Sequence, residues 1–210
     1  MADHLLDQQG NPADPASGQV LTWPDNAEAT VARLLSKGSD GRVYPLNHIA
    51  SSTAAQLLGT ADTYVTGSKL FIPTSGLKVG MVYMVKLSLS KTAAGVATPI
   101  WTVRLGTLGT TGDASQWAHT GIAQTAVAET GYYELLCTVR SIGATGVLQG
   151  SLTVARTGGT AATGLASVPV AELSGATADK SFVSGQVIGL SINAGAASAW
   201  TITQAVANLW

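Results

Sequence analysis

The chain has 210 residues, 46% of them hydrophobic and only 11% charged, with 24 glycines, one cysteine and a formal net charge of −1. Domains typically carry about 25% charged residues, so hydroxyls and small side chains must cover this surface, and the basic residues stand singly instead of in the clusters that neutralise a nucleic-acid backbone. No apolar run of about 18 residues offers a membrane-spanning helix, Met1 to Gly10 has neither the basic start nor the apolar core of a secretory signal, and a lone Cys137 excludes an internal disulfide framework.

The expectation is a chain folded in a reducing cytosol, with neither nucleic acid nor membrane as partner. Residues 1 to 22 are polar and broken by Gly10, Pro12, Pro15 and Gly18, the texture of an extended arm that gains order on another surface. Pro24-Asp25-Asn26 offers a helix cap, and Val31, Leu34 and Leu35 follow at helical spacing until Gly38, which predicts one short amphipathic helix. Gly38 to Gly41 is a turn. Pro45 to Leu58 reads as loop or as a second short helix starting near Ser52. Residues 1–60 thus form an N-terminal arm with one or two short helices, and residues 61–210 a β-domain.

From Thr63 the pattern changes to strands separated by Gly-rich turns at roughly 8 to 15 residue intervals. Lys69 to Ile72 is a short strand ended by Pro73. Between Met81 and Ser90 the odd positions Met81, Tyr83, Val85, Leu87 and Leu89 are apolar, while Lys86, Ser88 and Ser90 take the other parity, the period of a half-buried strand. Ile100 to Leu105 repeats it with Trp101, Val103 and Leu105, and the pair reads as a β-hairpin or a two-strand corner. Gly106 to Asp113 is a loop, and Ile122 to Val127 reads as a weaker edge strand. Tyr133, Leu135, Cys137 and Val139 share one face, as do Leu148, Leu152 and Val154, then Ile188, Leu190 and Ile192, and finally Trp200, Ile202 and Val206. About eight strands follow residue 62, which predicts an all-β, eight-stranded antiparallel jelly-roll-like sandwich; Greek-key sandwiches of other topology fit nearly as well.

No constellation announces a reaction. His4, His48 and His119 are isolated, without a spacing that builds a metal site. Cys137 has the parity of a buried small hydrophobe. No serine has the surround of a nucleophile elbow, Asp113 has no carboxylate partner at a recognisable spacing, and the glycines from 106 to 112 lack the Gly-Lys-Ser/Thr of a phosphate loop. Neither catalytic residue, cofactor nor metal is expected. Trp101 and Trp200 lie on apolar strand faces and read as core. Trp117, in Asp113-Ala114-Ser115-Gln116-Trp117-Ala118-His119, follows the flexible loop and reads as an exposed contact, so Asp113, Trp117 and His119 form a candidate ligand loop.

The segments Leu58-Gly59-Thr60, Val65-Thr66-Gly67-Ser68, Leu77-Lys78-Val79-Gly80, Lys91-Thr92-Ala93-Ala94-Gly95 and Val103-Arg104-Leu105-Gly106-Thr107 resemble jelly-roll domains of tailed-phage virion proteins, most closely capsid decoration or cement proteins, with related domains in head and tail fibres. The resemblance spans residues 58 to 210. It implies a homotrimer made in the host cytoplasm, attached by its N-terminal segment to the major capsid protein on the outer capsid surface, and without catalytic residues. Leu5, Leu6, Trp23, Leu34 and Leu35 are the arm residues expected to attach. A second reading makes the chain a receptor-binding fibre module whose Trp117 loop contacts host surface glycan. An all-β hydrolase is a third.

Overall fold

In a computed structural model of the chain, the described residues are 13, 20–25, 33–38, 43–45, 49–72, 76–121, 123–124, 126–143, 146–156, 170–175 and 186–210. Their regular structure is entirely β-strand: β1 (Val20–Asp25), β2 (Arg33–Gly38), β3 (Val43–Pro45), β4 (Ile49–Ser52), β5 (Gln56–Leu58), β6 (Thr63–Tyr64), β7 (Leu70–Phe71), β8 (Val82–Lys91), β9 (Ile100–Gly106), β10 (Ala114–Thr120), β11 (Glu129–Ser141), β12 (Val147–Arg156), β13 (Val170–Gly175), β14 (Val187–Asn193) and β15 (Trp200–Leu209). All ladders are antiparallel.

One sheet runs β13-β12-β11-β8-β15-β4, with β5 also on β15; a second runs β10-β9-β14-β6, with β7 also on β14; a third is β1-β2-β3. The alternation from Tyr83 to Leu89 follows from the pleat, which sends successive side chains to opposite faces, and all four odd positions are buried. Trp101, Val103 and Leu105 on β9 meet them from the second sheet, as do Ile188, Leu190 and Ile192 on β14. The centre of the core is aromatic: Trp101 lies 4.5 Å from Tyr133 and 5.6 Å from Trp200, ring centre to ring centre, and so joins the two sheets. Each such side chain removed from water stabilises the fold by roughly 1.5–3 kcal/mol. Cys137 is fully buried, and burial pushes its thiol well above the ordinary range, in keeping with its expected place beside Leu135 and Val139.

Several expectations are corrected. The segments around Tyr83 and Trp101 form a corner, not a hairpin, since β8 and β9 belong to different sheets. Over residues 33–38 the predicted helix is strand β2, which pairs with β1 on one side and β3 on the other; ladder pairing satisfies backbone groups that a lone short helix would leave to water. The alternative second helix near Ser52 is replaced by β4 and β5, both laddered to β15, so strands of the main body begin at Ile49. Between Ile122 and Val127 no strand is found among the described residues; Gln124 N–H donates to the Val96 carbonyl at 2.9 Å. Strands β6 to β15 exceed the eight expected after residue 62. Val206 does not share the face of Trp200 and Ile202, because a bulge between Ile202 and Gln204 shifts the register and turns Ala205, Ala207 and Leu209 inward instead.

Candidate functional site

The outer face of the five-stranded sheet carries a closed polar cluster. With Val103 and Leu105 in the core, Arg104 must point outward. Its Nε donates to Ser191 Oγ at 2.8 Å, one Nη to the Asp113 carbonyl at 2.7 Å, and the other to Asp62 Oδ2 at 2.6 Å. Ser191 Oγ also donates to Asp62, at 3.2 Å. The Asp113 carboxylate accepts backbone N–H groups of Leu108, Gly109 and Thr110 at 3.0, 2.7 and 3.4 Å. Successive backbone amides of this kind form an anion-binding nest, and here the chain's own carboxylate fills it. Tyr64 lies over Gly189, where any β-carbon would collide with the phenol ring; burial, then the Asp113 charge, push the phenol up, against a smaller opposing pull from Arg104. The cluster ties β6 and the 107–112 loop to the sheet.

The outer face of the seven-stranded sheet carries a second polar group. Ladder register places Glu134, Lys86 and Val206 side by side across β11, β8 and β15, and Tyr132, Ser88 and Gln204 in the next outward row. Tyr132 Oη donates to Glu134 Oε2 at 2.6 Å, and Lys86 Nζ reaches the same oxygen at 3.1 Å. Hydrogen bonds from Tyr132 and then Lys86 hold the Glu134 carboxyl below its ordinary value, and the bond to Glu134 raises Lys86 in turn. Beside them lies a depression of about 210 Å³ lined by Lys86, Ser88, Tyr132, Gln204 and Val206.

The candidate ligand loop is placed differently from expectation. Asp113 is buried as the nest anchor, and Trp117 lies in the core, 1% exposed, with its ring where a β-carbon of residue 150 would otherwise sit; only glycine at that position admits it. The reading of Trp117 as an exposed loop contact is therefore corrected: a bulge between Ser115 and Trp117 turns its ring inward, and His119 stacks beside it at 6.0 Å. Trp23 pairs with Leu35, and Pro24 with Leu34, in the β1–β2 ladder, while Leu5 and Leu6 lie outside the described residues. Sequence reading missed Lys91. It continues the inward parity of β8, is 2% exposed and donates from Nζ to the Thr92 carbonyl at 3.0 Å; burial lowers its pKa, and Glu129, its cross-strand neighbour, opposes that. The parity count from Met81 was the available signal.

Among the described residues, no three His, Cys, Asp or Glu side chains gather as a metal-binding set. Large apolar side chains are exposed at both ends of the sheets. Val79, Ile142 and Trp210, each at least 40% exposed, lie toward the end where Gly80 N–H donates to the Val139 carbonyl and Val82 and Trp210 exchange backbone hydrogen bonds; Val96, Ile100 and Val127 are exposed toward the other end. No protein-family model matches the chain, and no curated protein is similar to it.

Proposed function

We propose that the chain is a structural virion protein of the capsid decoration or cement kind, not an enzyme, that it trimerises, and that its residues N-terminal to β4 attach it to the major capsid protein on the outer capsid surface. The observation that supports this reading is the pairing of a low overall charge with large apolar side chains left exposed at both ends of the sheets. Large apolar groups left exposed suit surfaces that other chains cover, and the scarcity of charges keeps the desolvation cost of covering them small. The jelly-roll course belongs to the same reading. Pairs β8–β15 and β9–β14, with the β11–β12 hairpin between them in sequence, nest as in a rolled hairpin, while the β8–β11, β9–β10 and β12–β13 pairs depart from that plan. A glycan-binding role for the Trp117 loop is not favoured, because that ring is in the core.

The test is light scattering of the full chain together with its addition to capsids that lack it. A trimer that raises the capsid melting temperature is expected, since binding to the assembled state stabilises it by mass action. A 21.3 kDa monomer that leaves capsid melting unchanged would sink the proposal.

A further inference from the structure

We infer that the β11–β12 ladder carries, on the outer face of the seven-stranded sheet, a binding site for a small hydroxy-carboxylate of the sugar-acid kind, with Arg140 taking the carboxylate and Thr138, Gln149 and Ser151 the hydroxyls. These four residues line a depression of about 250 Å³ together with Leu136 and Gly150. Alternation and register bring them together. Leu135, Cys137, Val139, Leu148 and Leu152 are buried, so Leu136 and Thr138 on β11 and Gln149 and Ser151 on β12 take the outward parity; Leu136 stands opposite Ser151, and Thr138 opposite Gln149. Arg140 has no such counterpart. The ladder passes from the pair Val139–Leu148 to the pair Ser141–Val147, which makes Arg140 the extra residue of a bulge, and bulges re-aim side chains at the edges of sites.

The charge of this lining narrows the ligand class. Arg140 is exposed, and among the described residues no carboxylate forms an ion pair with it. Across the ladders, Gln149 and Ser151 stand opposite Leu173 and Ala171 on β13, and Leu136 and Thr138 opposite Met84 and Val82 on β8, so neither neighbouring strand brings an acid alongside. Glu134 lies roughly 20 Å back along β11 and is already bonded to Tyr132 and Lys86. A guanidinium presents a planar fork of donors that fits a carboxylate, and its single charge matches a single negative charge, where a phosphate dianion would keep a surplus. Thr138 and Ser151 add hydroxyls and Gln149 an amide, each able to donate and accept, which suits a ligand with hydroxyls beside its acid group. The depression is smaller than the roughly 300–1,000 Å³ of pockets that enclose drug-sized ligands, so it admits a single ring. The site does not rest on the virion reading, and it shares no residue with the Asp113–His119 segment.

The test uses the full chain, isotope-labelled and followed by amide chemical shifts at constant ionic strength. It is titrated with the methyl glycosides of glucuronic, galacturonic and N-acetylneuraminic acid, and with methyl glucoside, acetate and sulfate as controls. At least one sugar acid is expected to move resonances at Thr138, Arg140, Gln149 and Ser151 while leaving β9 and β14 unmoved, and to bind more tightly than any control. Arg140→Gln should weaken this by about tenfold or more, the size of one charge-assisted hydrogen bond, and Arg140→Lys, which keeps the charge without the fork, should restore only part of it. Arg140 is exposed, so both substitutions leave the core intact, and unchanged β9 and β14 resonances verify the fold. No sugar acid producing shifts overturns the proposal, as does undiminished binding by Arg140→Gln or an equal response to methyl glucoside. Acetate or sulfate matching the sugar acids overturns it in favour of an unselective anion contact. Shifts at these residues on raising the protein concentration alone overturn it in favour of a self-association face.

Discussion

The two outer faces each carry a cation paired with a carboxylate, and they use it in opposite ways. On the five-stranded sheet each nitrogen of the Arg104 guanidinium has a partner, its side chain is 15% exposed, and the pair with Asp62 spans 2.6 Å. On the seven-stranded sheet Lys86 is 44% exposed, reaches Glu134 at 3.1 Å and borders an open depression. Arginine's planar fork can tie three elements at once, whereas the lysine ammonium is a point charge on a flexible stem. The first face is consumed in holding the fold, while the second has polar groups left to offer.

The inner face that both sheets share sets the upper limit. Leu135→Ala should cost roughly 2–5 kcal/mol through cavity formation, measured by denaturant unfolding; a loss below about 0.5 kcal/mol would place Leu135 outside the core. On the five-stranded side, Arg104→Leu should cost about 2–3 kcal/mol, because Asp62, Ser191 and the Asp113 carbonyl lose their donor together; a neutral result would erase the contrast between the faces. Asp113→Ala should cost about 1–2 kcal/mol by leaving the amides of residues 108–110 without their carboxylate, and exchange of those amides should speed up selectively.

The smallest effect belongs to the seven-stranded side. Lys86→Ala should leave the melting temperature unchanged, as expected of an exposed pair. Its signature is in pH instead. A carboxyl held below its ordinary value contributes stability that is present above the unfolded value, near 4.5, and is lost as pH falls through the lower folded value. Thermal melts of the wild type should therefore decline slightly more than those of Glu134→Gln as pH drops below about 4.5. Parallel curves would show that the pair contributes nothing.

The strand faces were legible wherever a strand stayed regular. Tyr83 to Leu89, Trp101 to Leu105 and Tyr133 to Val139 alternate without interruption, and the pleat converts that alternation directly into burial. Where a bulge intervenes, the same counting misleads: it put Val206 on the face of Trp200 and Ile202, because one extra residue inverts every side chain beyond it and nothing local announces the insertion; Trp117 was read as exposed on another ground, its place after the Gly-rich loop, and the strand and bulge there turn it inward. The Asp62–Arg104–Ser191 cluster was illegible for another reason, since its members lie up to 129 residues apart and each is unremarkable alone. The Lys86–Glu134–Tyr132 group was half legible, because parity places all three outward but not side by side.

By itself, then, the sequence determined a β-body with two-residue periodicity, a core of tryptophan, tyrosine and aliphatic side chains, and a buried Cys137, since these follow from local alternation and from removing apolar area from water. Only the tertiary structure decided which strands share a sheet, that residues 33–38 are strand instead of helix and residues 49–52 and 56–58 strand instead of loop or helix, and which polar side chains meet. Short segments carry too weak an intrinsic preference to settle their own state, so long-range ladder hydrogen bonds do it for them.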